Sequence, residues 1–343
     1  LITHTLNSFE HIFEKEVKMS SEDDFDFEQA GEDARKLVLL GAAQKAGLFP
    51  ALVEETDITT LKRKLKADKR ALFIVLEALC RLGYVNKRKE KYILADKARP
   101  LFIEHGDDYV GDYLPHLLNI LEAWLSLPEI IKGQKPVRET PRDVASFMHA
   151  MASKPDKAVE CVVDLCLRRK KDSKSVLDLG GGPGKYAKAF VNRGLSAVLY
   201  DMPQTIDYVS TEFELKGIKN LTLKKGDFTR DEFVKEFEGE LFDIVFMGNI
   251  CHIYSEEENK RLLKNVTKLL GKGGLVAIED FVRGRSPDAE MFAVNMLANT
   301  DGGSTWTEAQ YREWLKSAGF HSIEVADLAG RGNQLITAFL EKA

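Results

Sequence analysis

The chain has 343 residues, 44% hydrophobic and 30% charged, with a formal net charge of −5. That is the composition of an ordinary globular protein of two domains, and it excludes a disordered, fibrous or globally nucleic-acid-attracting chain. Four cysteines (Cys80, Cys161, Cys166, Cys251) form no C-x-x-C pair, which disfavours structural zinc and fits a reducing cytoplasm.

No run of apolar residues reaches the ~18 that a membrane span needs. The first residues lack the basic start and apolar core of a signal peptide, and Met19 is a candidate internal start. "SSEDDFDFE" (Ser20–Glu28) reads as an acidic, solvated end to a flexible lead-in over residues 1–28. Helical spacing follows from Glu32 to Lys45, and a Gly and a Pro in "AGLFPAL" stop it. Asp57–Val85 reads as two short helices parted at Ala67–Asp68. Leu72, Val75, Leu76, Leu79 and Leu82 share one face of the second.

Val85–Ala98 then alternates around a charged turn, as a hairpin does. Helix, turn, helix and hairpin make a winged-helix unit over residues 29–105. From Asp57 to Arg99 it holds thirteen Lys and Arg against five acids, a local net charge of +8. Two readings stay open on residues alone: a DNA-binding regulator that senses a small ligand further on, or a dimerisation module with solvated charges. A mostly helical connector covers residues 106–167.

From residue 168 to 343 the pattern changes. "SVLDLGGGPGKY", "SAVLYDMP", "LTLKKGDF", "LFDIVFMGN" and "GLVAIEDF" are β-rich runs separated by helix-length segments. This predicts an α/β fold with a parallel, Rossmann-like sheet. "SIEVADLAGRGNQLITAFLEK" adds an antiparallel hairpin at the end.

The glycines Gly180, Gly182 and Gly184 let the backbone turn sharply and approach a ligand, with helix N–H groups aimed at it. Their G-x-G-x-G spacing disfavours a dinucleotide fingerprint. Asp201 ends the next strand, where an acid accepts hydrogen bonds from ribose hydroxyls. Asp227 closes the third, placed to accept an adenine amino group while Phe228 covers the ring. Loop, two acids and terminal hairpin together resemble a class I S-adenosylmethionine-dependent methyltransferase.

"FDIVFMG" (Phe242–Gly248) brings the chain to the carboxyl edge of the sheet, and Ser255 and Glu258 form a capping box for a helix just beyond. His252 therefore lies over the ligand crevice, outside helix and core. No second ligand sits at metal spacing, so general base is preferred over metal ligand or bystander.

"NICHIYSEEENKRLLKNVTKLLGKGGLVAIED", "DMP", "FMHAMA" and "TDGGSTWT" resemble the small-molecule O-methyltransferases typified by the plant caffeic acid and animal acetylserotonin enzymes. The resemblance extends over most of the chain. It implies a homodimer joined by the N-terminal domain, S-adenosylmethionine as cofactor with no metal, and methylation of a hydroxyl on a small aromatic or polyketide-like molecule. A phenol (pKa ~10) is largely un-ionised at neutral pH, so an imidazole of ordinary pKa ~6.5 assists by taking its proton.

In that family the histidine matching His252 is the base, and an acid matching Asp280 orients it, with Glu279 the alternative if the register slips by one. The plant enzymes carry a second acid where this chain has about Thr305. That departure leaves a C- or N-methylating or non-methylating relative as the alternative. The family pattern puts the cofactor on Gly180, Asp201, Met202, Asp227, Phe228 and the Gly248 backbone. Phe147, Met151, Met296 and Asn299 become candidates for the acceptor pocket, although Met and Phe at helical spacing are as often core.

Overall fold

Aspartates set the helix starts in the first third of the protein. The computed structural model describes residues 25–104, 108–136, 143–328 and 332–341; Met19 and most of the acidic lead-in lie outside them. Helix α1 (Phe27–Lys45) begins inside the expected lead-in, because the Asp26 carboxylate accepts the Gln29 N–H at 2.9 Å. A short α2 (Leu48–Ala51) follows, then a two-residue strand β1 (Thr56–Asp57). Asp57 and Asp68 cap α3 (Ile58–Leu65) and α4 (Lys69–Arg81), which gives the split expected at Ala67–Asp68. Leu72, Leu76 and Leu79 are buried on α4, each stabilising the unit by about 1.5–3 kcal/mol.

Strands β2 (Val85–Arg88) and β3 (Lys91–Leu94) form the antiparallel hairpin, with β1 added along β3. Helix α5 (Arg99–Phe102) closes the first unit, and α6 (Tyr113–Trp124), α7 (Leu127–Ile131), α8 (Val144–Ala152) and α9 (Asp156–Arg169) follow through the connector. Helix α6 packs on both α1 and α8, and Lys45 Nζ donates to Asn119 Oδ1 at 2.9 Å.

The last part is a seven-stranded sheet. Its strands are β4 (Ser175–Leu179), β5 (Ser196–Asp201), β6 (Leu221–Lys225), β7 (Phe242–Gly248), β8 (Leu270–Asp280), β11 (Phe320–Asp327) and β12 (Gln334–Leu340). The order is β11-β12-β8-β7-β4-β5-β6, parallel from β4 to β8 and antiparallel at β11 and β12. Successive side chains point to opposite faces, so Leu177, Val245 and Met247 feed one core layer and Val176, Ile244 and Phe246 the other.

Helices α10 (Lys185–Asn192), α11 (Pro203–Glu212), α12 (Glu256–Val266), α13 (Ala289–Asn299) and α14 (Glu308–Ser317) belong to this domain. A small parallel pair, β9 (Val282–Arg283) with β10 (Trp306–Thr307), was not foreseen from sequence. Among the described residues no helix is long and apolar enough to cross a membrane.

Candidate active site

The glycine turn joins β4 to α10. Gly180, Gly182 and Gly184 have φ of +74°, +49° and +76°, conformations that side chains disfavour. A Cβ on Gly180 would also run into the Ile250 side chain. The Gly182 amide donates to Asp201 Oδ2 at 2.9 Å, and the Met202 amide to Oδ1 at 2.7 Å. Asp201 thus faces the turn directly, and burial pushes its carboxyl above the ordinary range. Asp178 at the base of the turn is pushed up to about 7 by burial, helped by the charge of Asp201.

Phe228 is buried beside Gly180 and meets Tyr254 edge-on, ring centres 5.9 Å apart. A small open cleft lies beside them, lined in part by Thr229, Asp231, Arg261 and Asn265. Asp227 lies two residues past the end of β6, and its carboxylate accepts the Thr229 N–H and hydroxyl at 3.0 and 2.6 Å and Arg230 Nε at 3.1 Å. Gly248 ends β7 beside Glu279 and the Tyr186 ring.

His252 occupies a single 3-10 turn, Cys251–Ile253, and is only 6% exposed; the expected open loop is a buried turn. Its Nδ1 lies 2.6 Å from Asp280 Oδ1, and its backbone N–H donates to Oδ2 at 3.0 Å. An ionised carboxylate only accepts, so the neutral ring carries its proton on Nδ1 and presents a lone pair at Nε2. Nε2 has no hydrogen-bond partner among the described residues. Phe292 stands edge-on to the ring at 4.8 Å and in turn packs at a tilt against Phe281, ring centres 4.3 Å apart.

The register favours Asp280 over Glu279. The Glu279 side chain leaves the opposite face, where it pairs with Lys154 and the Tyr186 hydroxyl. Thr305 is fully buried, and its hydroxyl donates to the Ala289 carbonyl at 3.0 Å and accepts from Arg283 Nε at 3.4 Å. No second carboxylate reaches His252 among the described residues.

The four acceptor-pocket candidates separate. Phe147 is 37% exposed, its ring 5.2 Å from His116. Met151 is half-buried on the same helix, and Met296 is buried. Asn299 turns back on its own helix, donating to the Asn295 carbonyl and Oδ1 at 3.0 and 2.9 Å. Asn295 Oδ1 also takes the Trp124 indole N–H at 3.2 Å, which ties α13 to α6.

Sequence reasoning missed several neighbours. Met148 is buried, its sulfur 3.7 Å from where a Gly182 Cβ would sit. Asn259 Nδ2 donates to the carbonyls of Cys251, Tyr254 and Ser255 at 2.8, 3.1 and 3.0 Å, gripping the histidine turn. Tyr311 donates to Asp280 across 31 residues of sequence at 3.1 Å, a contact with no local signal. Tyr254 and Asn259 lie close to His252 in sequence and could have been flagged as supports of its turn.

Residues 136–321 match the family described as the O-methyltransferase domain. A 3-hydroxy-5-methyl-1-naphthoate 3-O-methyltransferase of Streptomyces sahachiroi is 25% identical over 321 residues, 88% of this chain and 91% of that one. Among solved structures, "PigF with SAH" aligns at TM-score 0.73 and 20% identity, covering 92% of this chain and 100% of the other. Human N-acetylserotonin methyltransferase in complex with SAM aligns at TM-score 0.71 and 18% identity, covering 94% and 100%. The winged-helix start, the seven-stranded sheet and the matched domain agree: the chain belongs to the O-methyltransferase family and is an S-adenosylmethionine-dependent O-methyltransferase.

Proposed function

We propose that this enzyme methylates a phenolic hydroxyl of a small aromatic or polyketide-like molecule, with His252 as general base and Asp280 as its partner. The observation that carries the reading is the 2.6 Å contact between His252 Nδ1 and Asp280, which leaves Nε2 to accept a proton. The hydroxynaphthoate in the name of the Streptomyces relative supports an aromatic acceptor.

The residues present fit the cofactor. The left-handed turn at Gly180 and Gly182, the Asp201 carboxylate against it, and the Phe228 ring suit a nucleoside. Gly184, Met202, Asp227 and the Gly248 backbone would complete its seat. When bound, adenosylmethionine supplies a methyl group on a cationic sulfur. His252 Nε2 takes the hydroxyl proton, and Asp280 stabilises the imidazolium that results. Phe281 and Phe292 wall the ring from water. Phe147, Met151, Met296 and Asn299 remain proposed contacts for the acceptor, with Phe292 added from its place at the imidazole.

The test is methyl transfer from tritiated adenosylmethionine to a panel of hydroxynaphthoates and catechols. His252→Ala should lower the rate by about 10²–10⁴-fold on whichever phenol the wild type accepts. A variant as fast as the wild type would sink the base assignment. Titration of S-adenosylhomocysteine into the wild type and Asp201→Ala, followed by calorimetry, tests the cofactor seat separately. The protein is also proposed to be a homodimer through its N-terminal domain, a reading supported by the exposed Phe73 and Ile74 of α4; light scattering at a monomer mass would overturn it.

A further inference from the structure

Asp280 is completely buried, and its two oxygens receive four donors. Oδ1 takes the imidazole Nδ1 at 2.6 Å and the Phe281 amide at 2.8 Å; Oδ2 takes the His252 amide at 3.0 Å and the Tyr311 hydroxyl at 3.1 Å. A carboxylate has about four lone-pair sites, so this one is saturated. The two amides are fixed by the backbone. Tyr311 is the side chain, apart from the histidine itself, whose hydrogen bond a substitution can remove.

Helix α14 holds that hydroxyl in place. The Thr307–Gln310 capping box fixes its start, and Tyr311 is buried with its ring 5.3 Å from Trp314, itself 5.3 Å from Trp306. The titratable groups facing Asp280 are His252, Tyr311 and the Cys251 thiol. Burial holds the phenol and the thiol well above their ordinary ranges, so both stay protonated donors while the imidazole titrates.

We propose that Tyr311 is a positioning residue for methyl transfer: its hydroxyl holds Asp280 Oδ2, so that Oδ1 faces the imidazole, and moderates the pull of the carboxylate on the imidazole proton. This rests on the reading of His252 as base. The terminal torsion of an aspartate is broad, and the hydroxyl on Oδ2 narrows it. A donor also draws charge from the carboxylate. Without it Asp280 holds an imidazolium more tightly, and less of the enzyme carries a free base at a given pH.

The experiment needs no acceptor. Imidazole nitrogens of 15N-histidine-labelled full-length protein are titrated by NMR, the His252 signals being assigned by their loss in His252→Ala. In Tyr311→Phe, which deletes only the hydroxyl, the midpoint should rise by roughly half to one pH unit, a three- to ten-fold change in proton affinity. In an Asp280→Asn background the same change should leave the midpoint where Asp280→Asn puts it, because the effect runs through the carboxylate.

An unmoved midpoint in a folded Tyr311→Phe, or an equal shift in both backgrounds, overturns the proposal. Should Tyr311→Phe fail to fold, the wild type still decides. Its buried phenolic proton should shift in step with the His252 titration, and a proton indifferent to it overturns the proposal. Full methyl transfer by His252→Ala would instead defeat the base reading, whatever the titration shows.

Discussion

Lys154 and Glu279 form a buried ion pair on the face of the sheet opposite His252, closed by the Tyr186 hydroxyl. The Lys154 side chain is 16% exposed and that of Glu279 1%, so the carboxylate has no water to fall back on and the ammonium little. Removing one partner strands the other. Lys154→Met should cost about 3–5 kcal/mol in denaturant unfolding, and the double change Lys154→Met, Glu279→Leu should recover much of that loss. A single variant as stable as the wild type would mean that the pair is solvated in solution.

Asn259 is expected to matter beyond its own hydrogen bonds, because it grips the turn that carries His252. Asn259→Ala removes this donor from three carbonyls, of which that of Cys251 keeps the Trp306 indole N–H, and should cost about 1–3 kcal/mol. Methyl transfer should fall by at least ten-fold while S-adenosylhomocysteine affinity, measured by calorimetry, stays near wild type. Equal losses in rate and affinity would mean a general collapse of the site.

Asp178 gives the stability a pH slope. Its folded pKa is pushed up to about 7 from an ordinary 3.8, so between those values the native state holds more protons than the unfolded chain. Stability from this group is therefore complete below about 4 and is lost as pH rises through about 7. Asp178→Asn should flatten that slope, so that the variant gains on the wild type as pH rises from about 4 to about 7. Parallel melting curves across that window would contradict it.

Gly180→Ala tests the turn. The left-handed conformation and the Ile250 side chain both oppose a methyl there, so S-adenosylhomocysteine binding should weaken at least ten-fold. A paired Gly180→Ala, Ile250→Val variant should regain part of the affinity, and calorimetry reads both.

The Rossmann-like sheet was legible because its strands are short, β-rich and evenly interrupted, and the glycine turn because its spacing is local. Ser255 announced its helix for the same reason, and the break at Ala67–Asp68 was legible between two helical patterns. Asp26 hid among other acids, so the start of α1 was missed. The His252–Asp280 pair was legible only through resemblance, since 28 residues separate the two and only the pairing of β7 with β8 brings them together. Tyr311, Phe292 and Lys154 reach the site by packing of distant elements, which leaves no periodic trace. Asn299 stands out as a polar residue on an apolar helix, but that its amide N–H groups bond Asn295 one turn earlier was not legible from spacing.

Lys185 follows the last glycine of the turn, and its ammonium grips the carbonyls of Ala152 and Lys154 at the end of the helix that bears Phe147 and Met151. Met148 of that helix rests on Gly182. The proposed seat of the donor and one proposed wall of the acceptor's chamber are thus a single mechanical piece. A chimera that imports the connector of a relative to change acceptor preference would also retune the hold on adenosylmethionine, unless residue 185 and its two carbonyl partners travel together.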